Sequence, residues 1–238
     1  MSNIFKHLRG TMRPGILALC TAAAALLTAC SGTGGTTGNG SPAPDHMPDS
    51  TSVAAARPPS FEDFPGEGIV YTDTGMRLGV KVKAIDSTWA PEVMDKPASP
   101  GRHYLAVWIA ATPELPDRGT NDVSIEQKLY VRYKPADGTC GSGTSDTPDS
   151  SGYCFASGWP GSGLVVLEDD NWREHRWEQQ TYTSSDIGRG ETRIGQIGFE
   201  IDETVQATDF GLCAPTREEF YSPSFFPCTA FKAPDGPA

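Results

Sequence analysis

The fold is decided by residues 104–110, which read Tyr-Leu-Ala-Val-Trp-Ile-Ala. This run is apolar at nearly every position, with Pro100-Gly101 before it and Pro113 after it. A short apolar run between residues that break regular structure is typical of a strand buried on both faces. We therefore predict that it is a central strand of a β-sandwich.

Other short runs predict the remaining strands. Residues 76–84 alternate between apolar and polar side chains, which is the period of a half-buried strand. The alternation predicts a core face of Leu78, Val80, Val82 and Ala84, and a water-facing side of Arg77, Lys81 and Lys83. Further strands are predicted over 129–133, 163–167, 193–201 and 209–214, and 197, 199 and 201 should share one buried face. Residues 168–180 are either a helix or a loop.

Composition supports this fold class and excludes others. The 238 residues include 26 glycines and 20 prolines, which argues against a helical bundle. Short strands punctuated by glycine and proline favour an antiparallel sandwich or barrel. The formal charge is −11, and neutralising phosphates needs a basic face, so we predict no nucleic-acid partner.

The N-terminus has the pattern of an export signal. Residues 1–29 carry Lys6, Arg9 and Arg13, followed by an apolar stretch over 16–27 that is too short to remain as a membrane span. The stretch ends in Leu27-Thr28-Ala29-Cys30, which resembles the lipobox of bacterial lipoproteins. That resemblance implies cleavage before Cys30 and acylation of its sulfur, and hence a lipid anchor on the extracytoplasmic face of the cell membrane. The alternative is an ordinary signal peptide cut near Ala29.

The composition of residues 30–65 predicts a flexible tether. They are rich in glycine, serine, threonine and proline and contain few large apolar side chains, so they cannot bury enough surface to offset the entropy of ordering. Globular sequence begins near 61–68. We place the boundaries of a single domain at 66–233, followed by a disordered tail over 234–238.

Two segments carry a family resemblance. Residues 101–109 read Gly-Arg-His-Tyr-Leu-Ala-Val-Trp-Ile, and the Gly-Glu-Thr turn near 190–192 precedes Gly-Gln-Ile-Gly-Phe-Glu-Ile at 195–201. Both resemble the immunoglobulin-like domain of the family known as domain of unknown function 4352, found in many Gram-positive lipoproteins. The resemblance covers about 76–213. It implies an antiparallel immunoglobulin-like β-sandwich and brings no catalytic residues with it.

Four cysteines remain once Cys20 of the signal and Cys30 are set aside: Cys140, Cys154, Cys213 and Cys228. An even number in an exported chain indicates disulfides, and four cysteines allow three pairings. We favour Cys140–Cys154 and Cys213–Cys228 because each closes a short glycine-, serine- or proline-rich excursion. A zinc site would need paired or histidine-flanked spacing that is absent here, so we predict no metal and no cofactor.

The familiar catalytic motifs are absent, and we predict a protein that is not an enzyme. His103 is expected at the rim of a strand. The candidate binding surface is Trp172, Arg173, His175, Arg176 and Trp177, because tryptophan and arginine are enriched at binding hot spots. The alternative is a polar edge whose tryptophans pack on the sheet.

Two further segments leave alternatives open. Residues 168–171, Glu-Asp-Asp-Asn, form either a solvated turn or a set of oxygen ligands for calcium. The aromatic residues of 218–226 are expected to cover an open sandwich edge, held there by Cys228; the alternative is an aromatic ligand-binding patch.

These observations predict a lipid-anchored extracytoplasmic module whose partner is an extracellular protein or glycan. The first alternative is an exported hydrolase of cell-wall polymers, which needs two carboxylates about 5–9 Å apart in a cleft. The second is an accessory solute-binding lipoprotein.

Overall fold

A computed structural model describes residues 57–72, 79–123, 128–141, 148–167, 171–180 and 184–234. All of them belong to one compact unit, Ala54–Ala238. The predicted signal peptide, Cys30 and most of the predicted tether lie outside the described residues. Within the described ranges, no helix has the length and apolar character needed to cross a membrane.

The described chain is built from strands. In order they are β1 Val70–Thr72, β2 Val80–Ala90, β3 Glu92–Val93, β4 Lys96–Pro97, β5 Arg102–Pro113, β6 Thr120–Val123, β7 Tyr130–Pro135, β8 Cys154–Gly161, β9 Ser185–Ile187, β10 Arg193–Asp202, β11 Ala207–Cys213 and β12 Cys228–Ala230. Short 3-10 turns occupy Phe61–Asp63 and Pro223–Phe225. The large sheet has the order β1-β2-β5-β10-β8-β7-β11-β12, and β3-β4 and β6-β9 form small separate pairs.

The large sheet folds over to enclose the main core. Every pairing in it is antiparallel. The main core combines side chains from β2, β5 and β10 with side chains from β7 and β11, for example Val82, Leu105 and Ile197 with Val131 and Leu212. Two layers of one folded sheet therefore face each other, as in a sandwich. The predicted fold class, an all-β antiparallel sandwich with disulfide-closed loops, is confirmed.

Strand β5 is buried on both faces, as predicted. Leu105 and Val107 enter the main core, while Trp108 faces the other way. Trp108 joins a second core that contains Phe61, Phe64 and Trp177. The alternation predicted for β10 is also confirmed, because residues 197, 199 and 201 are at most 1% exposed.

The prediction that Lys83 faces water is wrong. Its side chain is buried, its Nζ donates a hydrogen bond to the Phe64 carbonyl oxygen at 2.6 Å, and it lies 4.8 Å from the centre of the Phe61 ring. At Lys83, the face of β2 that alternation assigned to solvent is covered by Phe61 and Phe64, and burial lowers the pKa of Lys83. Ordered packing therefore begins before residue 66.

Three other segments complete the comparison with the predicted strands. Of the two alternatives for 168–180, the described part, 171–180, forms a turn with no helix. The predicted strand at 163–167 is reduced to one isolated bridge between Val165 and Ile194. Strand β8, Cys154–Gly161, was not predicted, because its glycines and proline hide a strand that pairs with both β7 and β10.

The last part of the chain returns across β2. The Ser87 hydroxyl donates to the Lys232 carbonyl oxygen at 3.1 Å, and Trp89 Nε1 donates to the Pro234 carbonyl oxygen at 3.2 Å. Pro234, the first residue of the predicted disordered tail, is therefore held on the sheet. Residues 235–238 lie outside the described residues.

Candidate functional site

Both predicted disulfides are present. Cys140 and Cys154 are joined with their Cα atoms 5.5 Å apart, and Cys213 and Cys228 are joined at 4.0 Å. The second bridge links residues directly opposite each other on β11 and β12. Each bridge closes the short loop predicted for it.

The two closed loops border the same cleft. The cleft has a volume of about 860 Å³ and crosses β5, β10, β8 and β7. The first loop contributes Pro148 and Asp149, and the second contributes Ser222, Pro223 and Ser224. Between them lie the aromatic residues Tyr104, Tyr130, Phe155 and Trp159 and the charged residues Lys96, Arg102, Glu200 and Asp202.

Strand alternation explains why these side chains share a face. On β10, Phe199 and Ile201 point into the main core, so Glu200 and Asp202 point away from it. On β5, Leu105 points inward and Tyr104 points outward, directly opposite Glu200. These residues of β5 and β10 therefore line the cleft from the face opposite the main core, and Tyr133, Cys140 and Ala156 of the main core also border it.

Tyr104 forms the buried floor of the cleft. It is 1% exposed, and burial together with the Glu200 carboxylate raises its pKa to about 12. The ring is accommodated by Gly198, where an added Cβ would lie 2.9 Å from Tyr104 Cδ1 and 3.2 Å from Pro160 Cδ. A side chain at position 198 would push the ring and the proline out of place.

One wall of the cleft is fixed by polar contacts. Glu200 Oε1 accepts hydrogen bonds from the Ser99 backbone N–H at 3.0 Å and from the Ser99 hydroxyl at 3.1 Å. These contacts hold the segment that follows β4 against β10. From β4, Lys96 places its Nζ 5.4 Å from the centre of the half-buried Trp159 ring, a cation–π contact.

The two carboxylates on β10 are already engaged with the protein. Asp202 is buried and accepts hydrogen bonds from the Thr204 backbone N–H at 2.9 Å and the Thr204 hydroxyl at 2.5 Å. Arg102 lies opposite Asp202 on β5, and it makes no ion pair within the described ranges. Glu200 and Asp202 are two residues apart on one strand, so their Cα atoms lie roughly 7 Å apart.

The tryptophans of the candidate binding surface turn inward, while Arg173, His175 and Arg176 are exposed. Trp177 is 8% exposed and donates from Nε1 to the Trp172 carbonyl oxygen at 2.9 Å. Trp172 is half-buried and donates from Nε1 to Asp86 at 3.2 Å. Arg173 donates to the same carboxylate at 2.6 Å. The alternative of tryptophans packed on the sheet describes this turn.

His175 and Arg176 are the members of that set with exposed side chains and no charged partner in the described part of the chain. His175 lies edge-on to Trp177, with ring centres 4.5 Å apart. Asp86, which ties the turn to the sheet, was missed by sequence reasoning. It follows an irregularity in the pairing of β2 with β5, and no local pattern indicates its role.

His103 is not a rim residue. It is 8% exposed and packs edge-on against Trp89, with ring centres 4.6 Å apart. Burial lowers its pKa, and the nearby carboxylates of Glu203 and Asp202 oppose that shift. Three of the four residues of the acidic segment, 168–170, lie outside the described residues, and no group of three metal-ligating side chains occurs among those that are described.

The aromatic C-terminal segment divides in two. Phe226 is buried and packs edge-on against Tyr130, with ring centres 5.5 Å apart, so this residue covers the sheet as predicted. Phe220, Tyr221 and Phe225 are 44%, 86% and 69% exposed. For these three the prediction of a covered edge is wrong.

Comparison of the chain with models of protein families and with curated proteins finds no match. The solved structure of an uncharacterised β-sandwich protein from Clostridium difficile 630 is similar to it, with 14% sequence identity and a TM-score of 0.34. The similarity covers 63% of this chain and 83% of that one.

Proposed function

We propose that this protein is a lipid-anchored extracytoplasmic module that binds a glycan in the cleft and performs no catalysis. The observation that carries the proposal is the lining of the cleft, where half-buried aromatic rings alternate with hydrogen-bonding groups between two covalently closed loops.

The size and chemistry of the cleft fit a sugar. A volume of about 860 Å³ is within the range of roughly 300–1,000 Å³ that small-molecule sites occupy. A pyranose ring has an apolar C–H face and a rim of hydroxyls. The rings of Trp159, Tyr130 and Phe155 offer flat apolar surface to such a face, and Ser157 and Arg102 offer polar groups to the hydroxyls.

The loop closed by Cys213–Cys228 is suited to binding because much of its ordering cost is met before the ligand arrives. Association costs free energy when side chains and loops must become ordered. Each loop here is closed by a disulfide, and the second is also anchored by Phe226. Covalent closure and the Phe226 contact thus support a rigid wall on the side of the cleft formed by residues 222–224.

The state of the ionisable groups supports binding over catalysis. The Tyr104 phenol, with a pKa raised to about 12, is neutral at physiological pH and is a poor base or nucleophile. Glu200 and Asp202 already accept hydrogen bonds from Ser99 and Thr204. We infer that these groups shape the site and orient ligand hydroxyls.

The anchor rests on the N-terminal sequence. The lipobox-like segment ending at Cys30 and the tether that follows it support a membrane-attached domain, and disulfides accord with an oxidising compartment. Cleavage before Cys30 would leave a formal charge of −14, so anionic headgroups would repel the domain. Mass spectrometry of the native product tests this half: an unmodified Cys30 overturns it.

The test of binding uses the detergent-extracted full chain with soluble chito-oligosaccharides and insoluble cell-wall glycan. Trp159→Ala and Glu200→Gln should each weaken binding, Trp159→Ala by tenfold or more, as truncation of a hot-spot aromatic does. Arg176→Ala, in the turn outside the cleft, is the matched control and should bind like the wild type. Thermal unfolding of each variant separates lost binding from lost folding.

Absence of binding to any glycan, or a loss in Arg176→Ala that Trp159→Ala and Glu200→Gln do not show, overturns the proposal. The hydrolase alternative is favoured by one observation, the two carboxylates on one face of β10. Release of reducing ends from the same glycans by the wild type, abolished in Glu200→Gln, would replace binding with hydrolysis.

A further inference from the structure

The loop closed by Cys213–Cys228 presents three aromatic side chains to solvent. Phe220, Tyr221 and Phe225 are 44%, 86% and 69% exposed, and the rings of the first two lie 4.1 Å apart at an angle of 32°. Large exposed apolar groups that cluster on a soluble domain mark interaction sites. The proposed glycan-binding cleft does not use these three rings, since none of them lines it.

The loop is held in a fixed position beside the cleft. Residues 222–224 form part of the cleft wall, between the exposed pair at 220–221 and Phe225. Phe226 packs on Tyr130, which itself lines the cleft. Within the loop, the Phe225 N–H donates to the Ser222 carbonyl oxygen at 3.0 Å, and the Thr216 N–H donates to the Glu219 carbonyl oxygen at 2.9 Å. The exposed rings therefore belong to a braced structure that continues the wall.

We propose that this loop is a second subsite, which stacks the sugar rings of a glycan that extends beyond the cleft. The inference rests on the proposed function and adds that the natural ligand is a linear oligosaccharide longer than the cleft alone accommodates. A polymer that enters the cleft along the Ser222–Ser224 wall meets the exposed rings next, because they flank that wall in sequence and the disulfide fixes their place.

The negative charge of the protein favours an uncharged oligosaccharide as the ligand. The cleft holds the carboxylates of Asp149, Glu200 and Asp202 against the cations of Lys96 and Arg102, and Glu218 and Glu219 directly precede the exposed ring pair. The whole chain carries a formal charge of −11. An acidic polysaccharide, or a membrane of anionic lipid, would be repelled from this surface, whereas an uncharged oligosaccharide would not.

The experiment measures affinity against ligand length. The detergent-extracted full chain is titrated with neutral N-acetylglucosamine oligosaccharides of two to six units by calorimetry. Tyr221→Ala and Phe225→Ala should weaken binding of the hexasaccharide about tenfold each and leave binding of the disaccharide within twofold. Tyr71→Ala, which removes another exposed tyrosine from β1, is the matched control and should change neither.

The outcomes separate the two proposals. If Trp159→Ala weakens every length while the loop variants weaken none, the cleft proposal holds and the second subsite is wrong. If the loop variants weaken short and long oligosaccharides equally, the length-dependent subsite is also wrong. If no oligosaccharide binds, the proposed function itself fails. Loop-dependent binding to anionic lipid vesicles, with glycan binding unchanged, would assign the rings to a membrane instead.

Discussion

The outward face of β5 is buried toward both ends, but only one end borders the cleft. Toward Trp108 it is sealed by Phe61, Phe64 and Trp177, which form the second core. Toward Tyr104 it packs with Val93 and Ala106 and forms the floor of the cleft, which described residues of both disulfide-closed loops border. One strand face thus serves stability at one end and, in our proposal, recognition at the other.

The largest effect is expected from opening the end toward Trp108. Phe64→Ala removes a side chain that is 6% exposed and packs 5.8 Å from Trp172, ring centre to ring centre. Truncating a buried phenylalanine costs about 3–5 kcal/mol. Denaturant unfolding should show this loss, while any glycan binding at temperatures where the variant stays folded should be unchanged. A loss below about 1 kcal/mol would mean that the second core is not a stabilising cover.

The next largest effect is expected from opening the Cys213–Cys228 loop, which borders the cleft. Replacing both Cys213 and Cys228 by serine releases a loop of about 15 residues, which the chain-entropy model values at roughly 3 kcal/mol. We expect a lower melting temperature together with weaker glycan binding, because Ser222–Ser224 would no longer be held at the cleft. Binding that survives intact in the folded variant would show that closure of the loop is dispensable.

A smaller effect is expected at His103, the residue of β5 that precedes Tyr104 of the cleft floor. Burial holds the pKa of His103 below 6.5, so the unfolded chain binds its proton at a higher pH than the folded chain does. This contribution to stability is complete above pH 6.5 and is lost as the pH falls from there through the lowered pKa. Unfolding free energies measured from pH 8 to 5 should fall less steeply for His103→Gln than for the wild type. Parallel curves would contradict the shift.

The smallest effect is expected at Arg176, in the exposed part of the turn formed by residues 171–180. Arg176→Ala should change the unfolding free energy by less than about 0.5 kcal/mol, since the side chain is exposed and has no charged partner among the described residues. Arg173→Ala, which breaks the contact with Asp86, should cost more. Equal effects on denaturant midpoints would mean that the Asp86 contact contributes nothing.

Sequence periodicity predicted those strands whose pattern of burial can be read from their own residues. Strands β5 and β10 were found because their apolar patterns are local, and the disulfides because each pair lies 14 or 15 residues apart. The burial of Lys83 was missed because the residues that cover it precede it by about 20 positions. Strand β8 was missed because a Gly-Trp-Pro-Gly run resembles a turn more than a strand.

The cleft itself was beyond sequence reasoning for a similar cause. It depends on the strand order β5-β10-β8-β7, which makes neighbours of residues from distant parts of the chain. Glu200 gave a weak signal as a polar residue between two apolar ones on a buried strand. Nothing local indicated that Ser99 would bind it or that Tyr130 and Trp159 would lie on the same face.

Strand β2 fastens both ends of the domain. Lys83 donates a hydrogen bond to the carbonyl oxygen of Phe64. Ser87 and Trp89 donate hydrogen bonds to the carbonyl oxygens of Lys232 and Pro234. Removal of residues 57–64 or of residues 232–234 would therefore take away hydrogen-bond partners from side chains of the same eleven-residue strand. That strand pairs directly with β5, and its Ala90 lies opposite Tyr104 of the cleft floor, so both end segments pack on the strand next to the cleft.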